Sequence, residues 1–191
     1  MTTDLGRPRD PRIDAAVLDA TAELLGQTGY ADLSVDAIAR RAGTSKPAIY
    51  RRWPSKAHLV HEAVFPMNGA TELPDTGTLA GDVREMVHRV VAVLTTPAAR
   101  AALPGLVGEM AADLTLHAKL LQRFGDILSR GLTERLNDAA ARGEVRHDVT
   151  AADLSEAVAG ITLLALLTRG AALDDAWMER TATLIMKGIS A

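Results

Sequence analysis

Apolar residues recur along this chain at steps of three and four, and no stretch alternates at steps of two, so the pattern predicts helices without a competing strand. Ile13, Val17, Ala20 and Leu24 mark a first helix over 13–27, ended at Gly29, with Tyr30 and Leu33 expected to plug a small core. Val35, Ile38, Ala39 and Ala42 give a second, and Ile49 and Trp53 point inward from a third. A fourth runs from Ser55 to about Phe65 with Leu59, Val60, Ala63 and Val64 on one side. After a stretch over 66–78 rich in proline, glycine and polar residues, Leu79, Val83, Met86, Val87, Val90, Val91 and Leu94 form a strongly amphipathic fifth helix. Leu103, Leu106, Val107, Met110 and Leu114 mark a sixth, with Pro104 near its start. A long seventh is expected over 117–142, with Leu120, Leu121, Phe124, Ile127, Leu128, Leu132 and Leu136 inside and Gly143 at its end. Thr150 and Asp153 resemble a capping box that opens an eighth helix, stopped by Gly170, and Asp174 opens a ninth containing Trp177, Leu184, Ile185 and Ile189. The expected fold class is all-α, with about nine helices.

Punctuation between the second and third helices is the most specific local signal. Ser34 suits an N-cap, and Asp36 in the first turn suits the positive end of a helix dipole. Gly43 stops the second helix, because glycine enters the left-handed region without a steric penalty. Thr44 or Ser45 caps the third, and Pro47 sits in its first turn, where a missing N–H leaves nothing unpaired. Pro54 ends it. Lys46, Ala48, Tyr50, Arg51 and Arg52 are left on the outer face of what reads as a helix-turn-helix.

Charge changes the picture at this point. The chain carries a formal net charge of −3, yet 40–56 holds six basic residues (Arg40, Arg41, Lys46, Arg51, Arg52, Lys56) and no acidic one. Residues 1–65 have nine basic and eight acidic side chains, against twelve and sixteen in the remainder. A basic island on an acidic chain, placed on a helix-turn-helix, argues for phosphate contact; a merely solvated charged face is the plainer alternative, and the turn chemistry weighs against it. Lys46 and either Arg51 or Arg52 have the donors to meet guanine edges. Tyr50, Lys56 and the Ser34 hydroxyl suit phosphates, while Thr44, Pro47 and Ala48, next to Ser45, offer small contacts to a thymine methyl. Residues 1–11 form an expected flexible arm whose Arg7 and Arg9, with Arg12, either reach DNA or only solvate the end.

Other chemistry finds little support. With no cysteine, disulfides, thiolate-held zinc and thiol catalysis are excluded. His58, His61 and Glu62 lack a third metal ligand, and no phosphate-cradling or nucleophile-elbow motif is present, so no metal, cofactor or enzyme activity is expected. Aromatic residues make up 3% and hydrophobic residues 48%, a helix-favouring balance. No leading apolar run resembles a signal peptide, and no run is expected to reach the ~18 residues of a membrane span, so a cytoplasmic, membrane-free protein is expected. The stretch 157–167, broken by Gly160 and Thr162, reads as a buried helix.

The opening I-D-A-A-V-L-D-A-T-A-E-L-L, the block G-Y-A-D-L-S-V-D-A-I-A-R-R-A-G-T-S-K-P-A-I-Y and the closing R-R-W-P-S-K-A-H-L-V together resemble the DNA-binding domain of the tetracycline-repressor (TetR) family of transcriptional regulators, over about 12–65. The resemblance implies an N-terminal helix-turn-helix DNA-binding domain, a linker at 66–78, and a helical ligand-binding and dimerisation domain over 79–191. It implies DNA contact at Ser34, Lys46, Pro47, Ala48, Tyr50, Arg51, Arg52 and Lys56. It further implies a homodimer on a near-palindromic operator, with its seam on the eighth and ninth helices: Leu154, Val158, Ile161, Ala165, Trp177, Thr181, Leu184 and Ile185. An apolar or amphipathic effector is expected among Met86, Val90, Leu106, Met110, Phe124 and Leu128, all of which also read as ordinary core. His88, Glu109, Asp113, His117 and Thr162 are the candidate polar groups for it. The rival class is a helical carrier or interaction protein whose head does not read DNA.

Overall fold

The structure is a computed structural model that describes residues 11–65, 75–113, 115, 116, 118, 131–169 and 173–191. The expected arm up to residue 10, most of the linker, His117, Phe124, Leu128 and Gly170 lie outside the described residues. Within them the chain forms α1 (Pro11–Asp32), α2 (Val35–Arg41), α3 (Lys46–Tyr50), α4 (Lys56–Val64), α5 (Leu79–Leu94), α6 (Pro97–Ala112), α7 (Leu132–Ala141), α8 (Ala151–Arg169) and α9 (Asp175–Ile189).

These helices sort into two compact units. In the first, α1 packs against α2 and α4, and α2 against α3. Val17, Leu25, Ile38, Ile49, Leu59 and Val60 are almost fully covered and form its core. Gly29 breaks α1 with φ 75° and ψ 174°, which turns Tyr30 and Leu33 inward as the sequence predicts. The first unit also includes Ala101–Asp113, so the cut between units does not fall at one point in the chain. α6 begins in the second unit and finishes in the first.

In the second unit α5 is the central element and packs on α7, α8 and α9. Leu79, Val83, Met86 and Val87 of α5 meet Leu132 and Leu136 of α7, Leu154 and Val158 of α8, and Trp177, Met178 and Ile185 of α9. Asp82 is buried there, and a buried carboxylate persists only if its oxygens are engaged. Its oxygens take an ion pair from Arg135 at 3.0 Å and hydrogen bonds from the Thr76 backbone N–H and hydroxyl at 3.0 and 2.9 Å. Two caps behave as their side chains predict. The Asp174 carboxylate accepts from the Trp177 N–H at 2.8 Å. Thr150 and Asp153 close a reciprocal box: the Asp153 N–H donates to the Thr150 hydroxyl at 3.1 Å, and the Thr150 N–H donates to the Asp153 carboxylate at 2.9 Å.

Three expectations are corrected. The long seventh helix over 117–142 is interrupted: Gly131 takes φ 81°, and α7 starts only after it. Pro104 stands in the interior of α6 rather than at its start, since the helix begins at Pro97. Ala151–Thr168 is long and apolar enough by composition to cross a membrane, contrary to the expected absence of such a run, and only 28% of it is buried within the chain.

Candidate nucleic-acid interface

The turn that presents α3 is built by hydrogen bonds the sequence foreshadows. Gly43 sits at φ 65°, and the Thr44 N–H donates back to the Ala39 carbonyl at 2.9 Å, closing the end of α2. Of the two expected caps for α3 it is Ser45 that acts, its hydroxyl accepting from the Ala48 N–H at 3.4 Å. Ser34 occupies the N-cap position of α2, but its side chain makes no capping bond. Ile49 is buried under α3, and Trp53 beyond it is buried too, its indole N–H donating to Glu62 at 3.0 Å. Burying these two fixes the rotation of α3 about its axis. Lys46, Pro47, Ala48, Tyr50 and Arg51 consequently face outward, Ala48 only partly.

Two of the expected contacts are placed differently. Arg52 is not on the outer face: its side chain is 14% exposed and ion-paired with Asp14 of α1. The regular helix closes at Tyr50, and the N–H groups of Arg52 and Trp53 both return to the Ile49 carbonyl at 2.9 Å, which swings Arg52 back toward α1. Lys56 is half-buried. Its ammonium lies 4.3 Å from the centroid of the Tyr30 ring and donates to the Tyr30 carbonyl at 3.0 Å.

Some partners carried no sequence signal. Lys46 Nζ donates to Asp36 Oδ2 at 2.8 Å, with both side chains about half exposed. This bond, followed by the carboxylate's charge, pushes the Lys46 ammonium above its usual pKa. Tyr30 donates its hydroxyl to Glu109 of α6 at 2.6 Å. Burial, and then that bond, raise the phenol well above the usual tyrosine range. Gly105, one turn earlier on α6, lies so close that a Cβ there would be 2.1 Å from the Tyr30 ring.

Of the six residues expected to meet an effector, Met86, Val90, Leu106 and Met110 are among the described residues. Met86 and Val90 belong to α5 in the second unit, where Met86 is fully buried and Val90 packs against the core. Leu106 and Met110 belong to the segment of α6 in the first. Among the candidate polar groups, Glu109 is committed to Tyr30, and the Thr162 hydroxyl donates to the Val158 carbonyl of its own helix at 2.7 Å. A cleft of about 440 Å³ opens beside α5 among Thr76, Thr78, Arg84, Glu85 and His88.

The expected seam residues are largely covered by their own chain. Leu154, Val158, Ala165, Trp177, Thr181 and Ile185 are buried, and Ile161 packs against the core. Leu184 is 64% exposed, and with it Leu164 and Leu167. Among the described residues no group of three potential metal ligands assembles.

A short capped helix held by a glycine turn, with apolar side chains below and cations above, defines a helix-turn-helix DNA-binding protein, here joined to an all-helical body. Comparison with known proteins narrows this class. Residues 17–63 match the family described as bacterial regulatory proteins, tetR family, and residues 73–185 match the tetracyclin repressor-like C-terminal domain. The chain belongs to the TetR family of transcriptional regulators. It is 33% identical over 171 residues to the DNA-binding transcriptional repressor TetR of Mycobacteroides abscessus, covering 87% of each. It is 27% identical to the HTH-type transcriptional regulator YdeS of Bacillus subtilis, over 100% of this chain and 96% of the other. Among solved structures, the TetR family transcription regulator SCO0332 superposes with a TM-score of 0.70 at 30% identity, over 94% of this chain and 100% of that one. The family is one of regulators and not of enzymes.

Proposed function

We propose that the chain is a repressor that holds a two-fold-symmetric operator as a homodimer and leaves it when an apolar or amphipathic effector enters the body. The observation that carries the reading is the outer face of α3: Lys46, Tyr50 and Arg51 stand in solvent over a buried Ile49. Lys46 and Arg51 meet guanine edges, while Tyr50, Lys56 and Ser34 hold phosphates. Thr44, Pro47 and Ala48 supply the small contacts. Arg52 supports α3 through Asp14 and takes no base. A regulator acting on chromosomal DNA works in the cytoplasm.

A single head offers few contacts, and pairing two supplies the affinity. Leu164 and Leu167 of α8 and Leu184 of α9 are apolar and uncovered, and Ala159 and Gly160 beside them allow close approach of a second α8. Seven of the eight residues expected at the seam are buried in the protomer or packed against its core, so the same two helices work on two faces. Effector control runs through α6. An effector acts only through its different affinities for the two arrangements of α6. Tyr30 registers the position of that helix through Glu109 and Gly105.

The test is a titration of DNA from upstream of the chain's own coding sequence. Lys46→Ala with Arg51→Ala is expected to weaken binding to that DNA at least tenfold and to reduce its preference over mixed-sequence DNA. Unchanged affinity and preference would reject the reading.

A further inference from the structure

Asp36 is an acidic residue on the face that must approach a polyanion. An exposed ion pair of this kind adds little to stability. The dipole of α2 favours an anion in this turn, yet a carboxylate on this face also opposes phosphate binding.

We propose that Asp36 is a specificity-determining residue that reads DNA jointly with Lys46, the lysine addressing a guanine and the carboxylate a cytosine amino group in the same or the adjoining base pair. This rests on the operator-binding reading given above. The geometry supplies the argument. Lys46 stands at the first position of α3, and its ammonium has three protons, of which Asp36 Oδ2 takes one at 2.8 Å. Two remain for the O6 and N7 of guanine. The carboxylate keeps its other oxygen as an acceptor directed by the same bond. Cytosine presents an N4 donor to the major groove, whereas thymine presents O4 and a methyl group. The pair therefore places a donor beside an acceptor, and a G·C pair offers the complementary arrangement. A pyrimidine showing only acceptors would leave the carboxylate unpaired, and rejection of such unpaired groups is a source of discrimination.

Asp36 is also free to take this role. It sits in the first turn of α2, where the helix dipole favours an anion. Because the pair is neutral as a unit, it contributes sequence discrimination with less sequence-independent attraction than a bare lysine.

The experiment is selection from a randomised duplex pool by the wild type, Asp36→Asn and Lys46→Ala, followed by affinity measurement on the enriched duplex and on a mixed-sequence duplex over a range of salt. Asparagine remains acceptable in a first turn, and circular dichroism verifies that each variant is folded. For Asp36→Asn the expected result is tighter binding to the mixed duplex, a salt slope steeper by about 0.9, and a preference for the enriched duplex reduced about tenfold. The selected sequences should lose their cytosine at one position of each half-site. Lys46→Ala should lose the guanine preference at the same or the adjoining pair. The proposal is overturned if Asp36→Asn enriches the same sequence with the same preference, if both affinities change by one common factor, or if the two variants relax positions more than one step apart. Failure of the wild type to enrich any sequence is a different outcome: it removes the operator-binding reading itself.

Discussion

At the scale of single residues, Tyr30 gathers three contacts: its hydroxyl to Glu109, its ring face to Gly105, and its ring and carbonyl to Lys56. Gly105→Ala places a methyl group inside the ring's contact distance, so Tyr30 or α6 must shift. Overpacking of this kind costs about 1–3 kcal/mol, read as a lower melting temperature, and operator affinity should fall with it because Lys56 moves as well. Arg51 and Arg52 separate in the same spirit. Arg52→Ala abandons a partly covered Asp14 and is expected to lower stability by about 1–2 kcal/mol in chemical denaturation. Arg51→Ala should leave the midpoint nearly unchanged and weaken DNA binding. Sequence spacing could not tell these neighbours apart: the periodicity put both outside, and only the early closure of α3 at Tyr50 turns Arg52 away. Asp14 is 38 positions distant, and no local pattern announces the pair.

At the scale of elements, what could be read from the sequence followed what is local. Gly29, Gly43, Ser45, Thr150, Asp153 and Asp174 each act within a few residues of their own position, and each punctuation mark was visible as such. Asp174→Ala is expected to fray the start of α9 and cost about 1 kcal/mol, seen as faster amide exchange at Trp177. Asp153 adds a pH dependence. Hydrogen bonds from the Thr150 hydroxyl, and then from its backbone N–H, hold the carboxyl below the usual aspartate range. The folded state thus favours the ionised form, and the stabilisation is complete above the ordinary aspartate value and disappears as pH falls through the lowered one. Protection of the first turn of α8 should decline in acid, and Asp153→Asn should remove that decline. The break at Gly131 is not legible in the sequence because the apolar spacing continues across it, and a glycine inside a helical pattern gives a weak stop signal. The place of Pro104 within α6 is not legible because the alanines over 98–102 carry little periodic contrast.

At the scale of the whole molecule, the sequence separated a basic head from an acidic body but could not assign Ala101–Asp113 to the first unit. That assignment depends on Tyr30 meeting α6 across 79 positions. Nor could it say which face of α8 is inward. A helix apolar all round has no moment to orient it, and only packing against α5 distinguishes Leu154 and Val158 from Leu164 and Leu167. The uncovered set is the proposed seam. Replacing Leu164 and Leu184 by aspartate should leave the helical content intact, halve the mass seen by light scattering, and weaken operator binding strongly.

In the proposed complex two copies of α3 enter successive major grooves of one duplex. Hydroxyl-radical footprinting on a duplex enriched by the protein, together with the mass of the complex, tests it most directly. Two equivalent protected half-sites about one helical turn apart, roughly 34–36 Å, and an even number of chains per duplex are expected. A single asymmetric patch of protection, or one chain bound to one duplex, would contradict it.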